Sequence, residues 1–339
     1  MTFSRSSGIR WFGGMVGLVV VVFGIHVVVG STSLLGLGDV WQAIFSGPPG
    51  NSGADAKEVI FWELRLPRAV AAGVVGAVLG ASGSALQALF RNPLADPYVL
   101  GISSGSALGG ALASALGWWG IYGGLVGFGF AFLTGLAVLG LVFLIAGRGL
   151  ALSRALLAGI AIGTFLWALI AFVLMASGQD AGSVLFWLLG SFGGVNWARV
   201  VALATVGLVG LIVLWLWARS LTIFSIGEES AQRLGVATNA LKVWVLGSTS
   251  ALTAACVATA GIIGFVGLFV PHWVRSRLGP DVRLALGGSV LTGAAVMIAA
   301  DLLSQRVLPG REVNVGIITA LMGAPYFLHI LRRSGGVSW

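Results

Sequence analysis

Long apolar runs separated by short polar breaks repeat from one end of the chain to the other, and this repeat predicts membrane-crossing helices. A helix needs about 20 apolar residues to cross hydrocarbon. Ten segments of that kind are read: 11–31, 66–90, 98–116, 121–146, 151–176, 197–218, 240–260, 264–278, 282–304 and 313–332. The eighth is short and holds Pro271, which leaves its full crossing open. The predicted fold class is an all-α polytopic membrane protein, with one transmembrane domain over residues 1–339.

The breaks carry their own signals. Residues 91–97 read Arg-Asn-Pro-Leu-Ala-Asp-Pro. Pro93 and Pro97 stop any helix from running through, so Arg91, Asn92, Pro93, Asp96 and Pro97 predict a tight turn at a membrane surface. Asn92 and Asp96 suit its caps. Residues 31–65 form a long loop with turn signals at Pro48-Pro49-Gly50-Asn51. A second long loop, 177–196, contains Val184–Leu189, apolar enough to dip back as a short helix. The insertion at 219–239 places Leu221, Phe224, Ile226, Ala231 and Leu234 on a broken apolar face. It predicts one or two short surface helices broken at Gly227 and Gly235.

Composition narrows the class. Of 339 residues, 58% are hydrophobic and only 9% charged, against about 25% charged in soluble domains. Such a surface faces lipid, and no stretch is left over for a soluble domain. Arg5 and Arg10 precede the first apolar run, which is too long for a signal-peptide core and has no small-residue cleavage site, so it reads as a retained helix. The single Cys256 excludes a disulfide within the chain and reads as an apolar packing residue. Glycine, at 53 residues, sets the packing theme. Gly76, Gly80 and Ser84, Gly101, Gly105 and Gly109, Gly120 and Gly124, and Gly159 and Gly163 recur four apart, a spacing that lets membrane helices touch backbone to backbone.

The net charge of +8 is scattered at segment ends, a topology signal rather than a nucleic-acid patch. An N-terminus inside leaves Arg5, Arg10, Arg91, Arg148, Arg154, Arg219, Arg233, Lys242, Arg275, Arg277, Arg283, Arg332 and Arg333 in cytoplasmic breaks. Lys57, Arg65, Arg68, Arg199, Arg306 and Arg311 fall on the other face. Thirteen against six follows the positive-inside rule, so both termini are expected in the cytoplasm of a bacterial inner-membrane protein.

Absences limit the chemistry. No Asp, Glu, Lys or Arg falls in the middle of a segment, where a charge costs at least about 2.5–3.5 kcal/mol and usually serves ion coupling. His26 and His329 lie near segment ends and read as packed or interfacial. Neither lysine, Lys57 or Lys242, sits in a phosphate-cradling motif. Gly261, Gly264 and Gly267 lie in an apolar run with no following acid, so they read as packing positions. Catalytic sets, metal clusters and cofactor motifs are absent. An ion-coupled secondary carrier and an intramembrane enzyme are the competing classes. If the chain transports, its energy arrives through a partner, and 219–239 is the natural docking point.

Six motifs in order resemble the FecCD family of permease subunits, which serve ABC importers of iron-siderophores, haem and cobalamin. They are Leu64-Arg65-Leu66-Pro67-Arg68; Arg91 to Pro97; Gly101-Ile102-Ser103-Ser104-Gly105; Gly227 to Ala231 with Leu234-Gly235; Gly261 to Leu268 with Val270-Pro271-His272; and Gly316 to Ala320 with Gly323-Ala324-Pro325. The resemblance implies a ten-helix subunit that pairs with a copy of itself, two cytoplasmic ATPases, and an extracytoplasmic binding protein. Arg65 and Arg68, with Arg306, would receive acidic residues of that binding protein; headgroup anchoring is the plainer role. Ile226, Gly227, Glu228, Glu229, Arg233, Leu234 and Gly235 would lodge on the ATPase, with Leu234 the apolar anchor. Leu152 and Ser153 would stand at a cytoplasmic gate. Pro271 would kink the eighth helix. Phe186–Trp197 looks closest to cobalamin permeases, with haem and ferric siderophores behind.

Overall fold

The computed structural model of the chain describes residues 5–30, 35–49, 55–147, 149–178, 181–308 and 310–334, and these are helical with no strands. Helix α1 is Arg5–Val29, followed by α2 (Leu37–Ser46) and α3 (Ala56–Val59). A π-helical turn, Ile60–Arg65, runs straight into α4 (Leu66–Leu89). Then come α5 (Ile102–Ala115), α6 (Leu125–Ala146), α7 (Leu152–Ala176), α8 (Ala181–Leu188) and α9 (Trp197–Phe224). The chain closes with α10 (Glu228–Arg233), α11 (Thr238–Ala260), α12 (Val266–Leu278), α13 (Val282–Arg306) and α14 (Val315–Ser334).

Each of the ten predicted segments becomes one helix, but ten full crossings do not follow. Among the described residues, seven helical stretches are long and apolar enough to cross a membrane. The exceptions are α5 with 14 residues, α12 with 13, and α14, whose apolar part is Val315–His329. The first two are short because irregular chain precedes them inside the bundle: the 3-10 turn Pro97–Leu100 before α5, and residues 261–265 before α12. The two stretches meet, the Tyr98 hydroxyl donating to the Ile263 carbonyl at 2.7 Å. Non-helical backbone at such depth survives only where protein satisfies its polar groups.

Helix α4 is the centre of the bundle and packs most extensively on α13, with α9, α11 and α12 around it. The glycine spacing explains the closeness. A Cβ on Gly76 would overlap the Gly293 carbonyl, one on Gly80 the Ser289 carbonyl, and one on Gly83 the Gly267 carbonyl. Gly101 and Gly159 bring α5 and α7 together in the same way. Gly120 and Gly124 do not: they lie in the irregular turn Trp118–Gly124, where Gly124 has φ +87°.

Pro271 sits inside α12 without ending it. Its ring removes the bond that would reach the Gly267 carbonyl, and Gly83 lies against that oxygen. Next to it, the Leu268 carbonyl accepts from Gln87 Nε2 of α4 at 2.9 Å, so the local defect in α12 is stitched to α4. Two loop readings also change. Residues 31–65 contain α2, α3 and the π-turn rather than plain loop, while Gly50 and Asn51 of the expected turn lie outside the described residues. Residues 219–224 belong to α9, which leaves α10 as the one short helix of the 219–239 insertion.

Candidate functional site

The π-turn, α4, α13 and the segment after it bring five charged groups, Arg65, Arg68, Asp301, Arg306 and Glu312, together against the end of α1. The carbonyls of the last turn of α1 have no partners within the helix. Arg65 Nη1 donates to the Val27 carbonyl at 2.9 Å and the Val28 carbonyl at 2.6 Å. Arg306 Nη2 donates to the Val29 and Gly30 carbonyls. Two guanidiniums therefore cap one helix C-terminus, where the helix dipole favours cations. Arg65 is 6% exposed, so it is a buried structural cap; Arg306 is exposed.

Arg68 is held differently. Its Nε and Nη2 donate side-on to the two oxygens of Asp301 at 2.8 and 2.9 Å. Its Nη1 donates to both oxygens of Glu312, each at 2.9 Å. Asp301 has no exposed surface and is otherwise held by His26 Nε2 at 2.7 Å, Gln305 Nε2 at 2.9 Å and Ser304 Oγ at 3.2 Å. The other side of the arrangement is open: a cavity of about 370 Å³ is bordered by His26, Arg65, Arg68, Gln305, Glu312 and the 192–195 turn. Sequence reading expected outward arginines awaiting an acid. Two of them are already occupied by main-chain carbonyls, and the third by carboxylates of this chain.

His26, Asp301, Gln305 and Glu312 were not among the expected site residues. The signal for them was present: Asp301 and Gln305 are four apart, hence on one face of a helix, in an otherwise apolar run that ends at Arg306. An acid inside such a segment calls for a buried cation, and Arg68 lies in the facing helix.

At the opposite end, Gly227 (φ +156°) and Gly235 (φ +81°) bracket α10. Ala231 is the buried residue of this helix, and Glu228 pairs with Lys242 of α11 at 2.5 Å. Lys242 also reaches the Gly149 carbonyl at 3.4 Å, tying in the turn before α7. Glu228 thus braces α10 against α11. Glu229 and Arg233 form an exposed pair at 2.6 Å. Ile226 and Leu234 stand out from this surface at 76% and 68% exposure.

Residues 91–97 form a turn between α4 and the 3-10 turn. The Asn92 side chain accepts from Leu94 N at 2.9 Å, and that of Asp96 from Tyr98 N at 2.8 Å. Arg91 takes φ +50°, and Pro97 packs on Gly267. Desolvation in the turn pushes the half-buried Asp96 carboxyl up to about 6. Leu152 is half-buried and Ser153 exposed at the start of α7. The exposed face of α7 carries Leu157, Phe165, Phe172 and Met175, an apolar surface without a partner in the single subunit.

Comparison with known proteins places this architecture. The profile of the FecCD transport family matches residues 18–333. The chain belongs to the FecCD transport family. It is therefore a polytopic membrane permease and not a catalytic enzyme. It is 41% identical over 280 residues to the cobalamin import system permease protein of Halobacterium salinarum, covering 82% of this chain and 74% of that one. It is 38% identical over 286 residues to the hemin transport system permease protein of Yersinia pestis, covering 82% and 85%. Among solved structures, an inward-facing metal-chelate type ABC transporter aligns with TM-score 0.80 at 30% identity, over 96% of this chain and 99% of that one. The PsaBC structure from Streptococcus pneumoniae shares the fold at TM-score 0.58 and 20% identity, over 78% and 89%.

Proposed function

We propose that this chain is the permease subunit of an ATP-driven importer that carries a bulky metal chelate into the cytoplasm, with cobalamin the first candidate and haem and ferric siderophores next. It works as a homodimer with two ABC ATPase subunits and an extracytoplasmic binding protein. Both termini and α10 face the cytoplasm, and the arginine-rich end faces outward. The observation that carries this reading is α10 itself. A chain with no phosphate-cradling motif holds out Ile226 and Leu234 from a helix braced by the Glu228–Lys242 pair.

In this reading Ile226, Gly227, Glu229, Arg233, Leu234 and Gly235 meet the ATPase, and Glu228 keeps their helix in place. Apolar anchors ringed by polar residues are what concentrate energy in such contacts. The 91–97 turn fixes the cytoplasmic approach of α5, and Leu152 and Ser153 stand at the gate. The unpartnered apolar face of α7 supports pairing with a second copy across the pathway. Outside, Arg306 is the accessible arginine for an acidic group of the binding protein, Arg68 lies behind Glu312, and Arg65 acts from below by holding the end of α1.

The test is coupled ATP hydrolysis in proteoliposomes containing the permease, its ATPase and its binding protein. Leu234→Asp is expected to leave the permease folded and to cut substrate-stimulated ATP hydrolysis about tenfold, the scale of one lost apolar anchor. Full stimulation in that variant would remove α10 from the coupling role.

A further inference from the structure

Arg68 has two carboxylate partners of unequal standing. Asp301 is fully buried, and donors from His26 and Gln305 hold it in place in addition to Arg68. Glu312 has an exposed fraction of 32% in its side chain, borders the open cavity, and bonds only to Arg68 among the described contacts. The Asp301 pair has a fully buried acid, whereas the Glu312 pair is half-buried at the edge of the cavity. An incoming carboxylate of similar geometry can therefore replace Glu312 from the open side without disturbing Asp301.

We propose that Glu312 is a placeholder: it occupies the outer edge of the Arg68 guanidinium until an acidic side chain of the binding protein displaces it. This rests on the reading of the arginine-rich end as the binding-protein face. Asp301, positioned by His26 and Gln305, keeps the guanidinium plane fixed, so the arriving carboxylate finds Nη1 already aimed outward as a charged donor. Without Glu312, Arg68 would keep its Asp301 pair but Nη1 would lack an acceptor. With Glu312 in place, that nitrogen stays bonded until the partner docks. Displacement also releases one tether of the 311–314 segment that leads into α14. That segment is tethered elsewhere by Val313 N to the Ser304 carbonyl at 2.9 Å and by Asn314 Nδ2 to the Phe186 carbonyl at 2.6 Å.

The proposal makes a prediction of unusual sign. In nanodiscs holding the assembled transporter, affinity is measured for the binding protein encoded with this chain. Glu312→Gln, which removes the competing charge, is expected to tighten binding roughly fivefold. Glu63→Gln removes the same charge from the same end, at an exposed residue with no recorded contact to Arg68, and is expected to change affinity less than twofold. Equal effects of the two variants, or weaker binding by Glu312→Gln, would overturn the placeholder role. Arg306→Glu separates the two levels of the argument. If it weakens binding while Glu312→Gln does not strengthen it, only the placeholder fails. If it leaves binding unchanged, the docking face itself is misassigned and the placeholder falls with it.

Discussion

Four side-chain N–H donors converge on the Asp301 carboxylate, two from Arg68 and one each from His26 and Gln305, while the Ser304 hydroxyl, 2.7 Å from the Asp301 carbonyl, lies 3.2 Å from the carboxylate. A buried charge survives only when such bonds replace its water. His26 is 1% exposed, and its contact with a carboxylate requires Nε2 to carry the hydrogen. Its replacement by leucine leaves the charge one donor short. His26→Leu is expected to lower permease stability by about 1–3 kcal/mol, and His26→Gln, which restores an N–H, to recover most of it. Thermal unfolding in nanodiscs reads both, and unchanged stability of His26→Leu would show that the network does not need this donor. Sequence alone placed His26 near a segment end and read it as packed or interfacial, without naming a partner. Its partner lies 275 positions away, and nothing in local periodicity links residues so distant.

At the scale of the helices, the ten apolar segments were legible to within a few residues because a membrane span is a long, uninterrupted signal. Crossing number was not, because α5 and α12 stop at irregular backbone whose polar groups find partners in other helices. Nor was the length of α9: Arg219 to Phe224 read as part of a separate surface insertion once the apolar run ended, although the helix continues through them. Glycine spacing was a better guide. It pointed to Gly76 and Gly80, and the same face of α4 extends to Gly83 against Gly267. Gly83→Ala pushes a Cβ into backbone that cannot yield, with an expected loss of about 1–3 kcal/mol or more. Gly129→Ala, which meets nothing within 4 Å, is expected to be neutral or stabilising by about 0.5–1 kcal/mol. Equal melting of the two variants would mean that α4 and α12 do not pack as described.

For the whole molecule, the surface divides by chemistry. Helices α1, α7 and α9 expose apolar sides to lipid or to a second copy, one end gathers arginines around α1, and the other holds out α10. Composition had shown that the chain lives in lipid, and motif order had pointed to the transport family. The internal neutralisation of the arginine-rich end was hidden, since it depends on where α13 and the 311–314 segment meet α4. The sequence carries no phosphate-cradling motif, and among the described residues the Arg68–Asp301 pair lies near helix ends. The most direct measurement is therefore uptake of radiolabelled cobalamin into proteoliposomes, with the permease alone and with its ATPase and binding protein. Accumulation is expected only in the full assembly, with ATP, and undiminished by ionophores. Accumulation by the permease alone, driven by an ion gradient and abolished by an ionophore, would contradict the account.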